Sequence, residues 1–132
     1  MASFVLTALS GWLAALLLGA NACSPYLIRA TQGVAQERPA RFRLNYTMGL
    51  LIPAFAFVHA WLPMGAGLGR QLEQTGLLLA TAALVIMLFQ IGCGISLRGS
   101  QGSTRRIIRR LHFWTMALLI GLVTTHIILN RA

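Results

Sequence analysis

Four long uncharged apolar stretches alternate along this chain with short segments that hold nearly all of its charge. A helix rises 1.5 Å per residue, so about 20 predominantly apolar residues cross a hydrocarbon layer of about 30 Å. Runs of that length lie at about residues 3–28, 44–64, 75–97 and 111–129, and each predicts a membrane-spanning helix, the last of them over about 107–130. Pro25 marks the end of the first run or a bend in it. Ala20, Asn21 and Ala22 have the small-residue spacing of a leader cleavage site. No basic segment precedes that run and the arginines follow it, so the first run is expected to stay as a span. The expected fold class is all-α, an integral membrane four-helix bundle forming a single domain over residues 1–132.

Composition agrees with that pattern: 57% of residues are hydrophobic, against about 45–50% in soluble domains. The net charge of +9 comes from 11 arginines opposed only by Glu37 and Glu73. These cations cluster between the apolar runs instead of forming a binding face, which argues against nucleic acid as a partner. Arg29, Arg38, Arg41 and Arg43 follow the first run, and Arg98, Arg105, Arg106, Arg109 and Arg110 follow the third. Only Arg70 and Arg131 fall on the other side. The positive-inside rule then puts both termini on the outer, periplasmic side of a bacterial inner (cytoplasmic) membrane, as a multi-pass protein. The arginine clusters suit anionic lipid headgroups, and Trp12, Trp61 and Trp114 are expected interfacial anchors. Cys23 and Cys93 lack any metal-ligand spacing, and a disulfide between them is not expected. Two isolated carboxylates offer no acid–base pair, and the chain has no glycine-rich nucleotide fingerprint, so no catalytic residues are expected.

Chemistry is concentrated in the three histidines, His59, His112 and His126, all within or at the edge of apolar runs where ionisable groups are costly. His59 stands sixteen residues after Arg43 and His126 sixteen after Arg110, so both are expected at one depth in the outer half of the bilayer. Sixteen helical residues climb about 24 Å. Two imidazoles facing each other at one depth suit the axial positions of a haem iron. Chlorophyll-type pigment needs only one histidine per magnesium, and structural histidines bridging helices are the bland alternative. His112 precedes His126 by fourteen residues, nearly four whole turns and about 21 Å along one helix face.

This His-x13-His spacing on one span resembles the four-helix membrane b-type cytochromes and ferric-reductase-like transmembrane domains. The resemblance implies two haems, each histidine of that helix being matched by one on a partner helix. The match for His112 would fall at Asn45, fourteen residues before His59, so one complete pair remains and no second haem is expected. One haem b is then expected on His59 and His126, with Ile52, Phe55, Leu122 and Val123 as an apolar wall and Arg70 or Arg131 meeting a propionate. Pro53 is placed to bend the second span and steer the His59 ring.

His112 directly follows Arg109 and Arg110, where a histidine in contact with water or headgroups is expected. Gln90, with Gly92 and Gly94 close by, is a candidate to line a quinone pocket together with His112, or a second site that also involves Asn45. The resulting expectation is an electron-transfer subunit of a larger redox membrane complex, with lipid and quinone as further partners. A non-redox accessory subunit, packing against larger partners and binding pigment or lipid, is the alternative.

Overall fold

The computed structural model describes the backbone of residues 2–32, 38–65 and 74–129, and side chains within residues 4–26, 45–65 and 75–129. Within those bounds the chain is all-helical: α1 Ala2–Gln32, α2 Arg38–Gly65, α3 Gln74–Gly99 and α4 Gly102–Leu129. All four are long and apolar enough to cross a membrane, through Phe4–Tyr26, Asn45–Gly65, Thr75–Gly99 and Gly102–Leu129. Their backbone groups bond within each helix, which is what a hydrocarbon solvent demands.

The helices extend beyond the apolar runs. α1 continues through Pro25 to Gln32, α2 begins at Arg38 instead of 44, and α4 begins at Gly102 instead of 107. Hydropathy ends where the membrane would end, but a helix stops only where its backbone loses partners, and arginine is among the good helix formers. The cost of Pro25, one missing N–H bond, is absorbed without ending α1. Between α3 and α4 the chain turns over Ser100 and Gln101, and Gly102 takes φ +58°, the left-handed region that glycine enters at least cost.

The chain divides into two compact units, Met1–Gly67 and Leu68–Ala132. In the first, α1 packs on α2; in the second, α3 packs on α4. α1 buries Ser10, Leu18, Asn21 and Ser24, a seam of small and polar residues that lets helices approach closely. The hydroxyls on it are satisfied within the helix: Ser10 Oγ donates to Leu6 O at 2.8 Å, and Ser24 Oγ to Asn21 O at 2.9 Å. Large apolar side chains such as Phe4, Leu16, Leu78 and Trp114 remain exposed. In water this would be a liability, whereas lipid is the matching solvent for such a surface.

Candidate functional site

The first unit fixes one imidazole. His59, half-buried on α2, points its Nδ1 at the carbonyl of Thr7 on α1, 2.8 Å away. A carbonyl only accepts, so Nδ1 carries a proton, and in the neutral tautomer Nε2 is the nitrogen that keeps the lone pair. The ring has room there because residue 11 lacks a side chain. A Cβ on Gly11 would come within 2.7 Å of His59 Nδ1 and 2.8 Å of Cε1. Thr7 and Gly11, one turn apart on α1, therefore form a slot that holds the ring's orientation.

The second unit builds a different polar cluster. Gln90, only 7% exposed on α3, accepts a hydrogen bond from the Thr115 hydroxyl at Oε1 and places its amide nitrogen 3.4 Å from His112 Nε2. Thr115 also stands 2.8 Å from the carbonyl of Leu111, one turn earlier on α4. Gly94 on α3 flanks the ring: a Cβ there would sit in ordinary contact, 3.6 Å from His112 Cε1. His112 Nδ1 is buried and has no hydrogen-bond partner among the described residues.

These contacts correct the expectation of a histidine turned to water or headgroups. His112 is half-buried and packs on α3, because its helix face is set by Gln90 and Thr115 and not by its proximity to Arg109 and Arg110 in sequence. Gln90 and His112, which the sequence grouped, are brought together. Asn45 is exposed on α2 in the other unit.

His59 and His126 belong to different units, and His126 is half-buried on α4. Each lies on a stripe with a seven-residue interval: Asn45, Ile52, His59 on α2 and His112, Leu119, His126 on α4. The middle residues are buried, Ile52 at 6% and Leu119 at 3% exposure. Of the proposed wall, Phe55, Leu122 and Val123 are half-buried. Arg70 and Arg131 lie outside the described residues. The described residues contain no group of three or more His, Cys, Asp or Glu side chains placed to hold a metal ion. A two-histidine axial set falls below that number.

Sequence reasoning missed Thr7, Gly11 and Thr115. The small pair Thr7 and Gly11 at a four-residue interval was a readable sign of close helix approach, whereas nothing marked which helix would supply the neighbour.

Replacing Gln90 by Leu removes the side-chain partner of His112 Nε2 and leaves the Thr115 hydroxyl only carbonyls of its own helix, chiefly that of Leu111. Interhelical hydrogen bonds in membranes are worth about 0.6–1.7 kcal/mol, so Gln90→Leu is expected to destabilise the protein by about 1 kcal/mol. A lower unfolding midpoint in detergent, unchanged in Gln101→Leu at an exposed position, checks this.

Compared with models of known families, with curated proteins and with solved structures, the chain matches none.

Proposed function

We propose that this protein is a haem b-binding membrane subunit that relays single electrons within a larger redox complex, with His59 and His126 as axial ligands to one iron. The observation that carries this reading is the His59 geometry. A metal-ligating histidine characteristically donates its other ring N–H to a carbonyl or carboxylate, which fixes tautomer and orientation and strengthens the ligand. His59 makes that bond to Thr7 O, inside a slot that Gly11 keeps open.

When bound, haem supplies one-electron chemistry at a potential set by its ligands and their burial. The chain's own part is to hold two neutral imidazoles and exclude water. Thr7 fixes the His59 proton on Nδ1. Ile52, Phe55, Leu122 and Val123 offer apolar surface, and Arg70 or Arg131 offers a cation for a propionate. The sixteen-residue spacing after Arg43 and Arg110 supports equal depth for the two ligands, in a four-helix bundle. With nine arginines between the first and second and between the third and fourth apolar runs, the positive-inside rule supports termini on the periplasmic side of a bacterial inner membrane. One bis-histidine site accounts for both outer histidines, and no second haem is assigned.

A second reading is favoured by the same bond: His59 ties α2 to α1 as a structural histidine, in a non-redox accessory subunit that packs against larger partners and binds lipid or pigment. A reduced-minus-oxidised absorbance spectrum of the purified protein separates the two. Haem b bands support the electron relay, and a folded, colourless protein supports the accessory subunit.

A further inference from the structure

We infer that the four arginines at the start of α4 form a binding site for an anionic phospholipid of the surrounding membrane, with its headgroup phosphate on the guanidiniums and its acyl chains along the helix below them. α4 runs from Gly102 to Leu129, so Arg105, Arg106, Arg109 and Arg110 stand on the same helix as the apolar run that follows. At about 100° per residue, 105, 109, 106 and 110 fall in that order across one arc of about 140°, within about 8 Å along the axis. All four are exposed. The same arc continues into the apolar run through Phe113, Ala117 and Ile120, which are exposed as well. Cations followed by apolar surface along one side of a helix match the phosphate and acyl chains of a phospholipid.

Without an anion these arginines are poorly placed. Arg105 with Arg109, and Arg106 with Arg110, are like-charge pairs four residues apart, which destabilise a helix. They also lie toward the N-terminus of α4, the positive end of the helix dipole. Residues 74–132 contain no Asp or Glu, so neither α3 nor α4 supplies a carboxylate to offset them. Guanidinium meets a phosphate through two parallel N–H bonds. Clusters of four or more cations beside a span draw anionic lipid by about fivefold per cation. An acidic protein surface shares the charge, but the exposed apolar strip that continues from the arginines favours lipid.

Trp114, 64% exposed and one turn beyond Arg110, reports on this surface. Full-length protein carrying Trp12→Phe and Trp61→Phe keeps it as the sole tryptophan. The protein is reconstituted into mixed phosphatidylcholine and phosphatidylglycerol bilayers in which one lipid or the other carries bromine on its acyl chains. Both leaflets have one composition, so either orientation gives the same reading. Quenching of Trp114, normalised to the same protein in unbrominated lipid, is expected to show a preference for phosphatidylglycerol of at least about fivefold at low salt. Arg109→Gln and Arg110→Gln are each expected to lower it by about two- to fivefold, and Arg109→Lys to keep most of it. High salt is expected to weaken the preference. With Trp61 as the sole tryptophan, Arg109→Gln is expected to change nothing.

Equal quenching by the two lipids, which would leave the arginines to an acidic protein partner, overturns the proposal. So does a preference that Arg109→Gln and Arg110→Gln together leave unchanged. Helical circular dichroism, unchanged in these variants, separates loss of preference from loss of fold. The measurement needs no haem, so its outcome is independent of the electron-relay reading.

Discussion

His126→Ala and His59→Ala are each expected to reduce the haem content of the purified protein to background, while His112→Ala leaves the b-type bands in place. The asymmetry follows from ligand geometry. If His59 and His126 held one haem iron between them, an alanine at either position would leave that iron one ligand short. The loss is as large for His126 as for His59 even though their surroundings differ, because one iron would be shared between them. His112 is committed elsewhere, through Nε2 to Gln90. Absorbance of each variant, normalised to protein and read beside its circular dichroism, checks the prediction. Bands that survive in either single variant would remove that residue from the axial pair.

The second large effect is expected at a residue with no side chain of its own. Gly11→Ala puts a methyl group 2.7 Å from His59 Nδ1, 2.8 Å from Cε1 and 3.3 Å from Cγ. Real side chains do not approach that closely, so the ring has to leave its slot and the bond to Thr7 O breaks with it. Overpacking costs about 1–3 kcal/mol, and the lost hydrogen bond adds about 1 kcal/mol. The unfolding midpoint is expected to fall clearly. Haem affinity is expected to drop 10- to 100-fold, as it does when outer-shell partners of ligating histidines are removed. Gly19→Ala and Gly49→Ala serve as controls, since an added Cβ at either meets nothing within 4 Å. A Gly11→Ala protein as stable as these controls would show that the α1 slot does not hold the ring.

These two predictions also show which features the sequence carried. The four spans were legible because membrane crossing depends on run length and apolarity, both local properties. The ends of α1, α2 and α4 were not, since the helices run on into arginine- and proline-containing segments that hydropathy does not distinguish from loops. Gln90 and His112 could be grouped because each is a polar group in an apolar span, toward the ends that the turn at Ser100 and Gln101 joins. The partner of His59 could not be read, since it depends on the rotation of α1 about its axis and on the depth at which Thr7 meets α2. The same rotation decides that His112 packs inward, although the arginines before it pointed to the surface.

On the proposed reading, stability and haem binding would both depend on Thr7, Gly11 and His59. The most direct measurement is the electron paramagnetic resonance spectrum of the oxidised, purified protein at low temperature. One low-spin ferric signal of the bis-imidazole type, one spin per chain, lost in both His59→Ala and His126→Ala, is the predicted result. A high-spin signal, or no haem signal from a folded protein, would contradict two histidines holding a single iron.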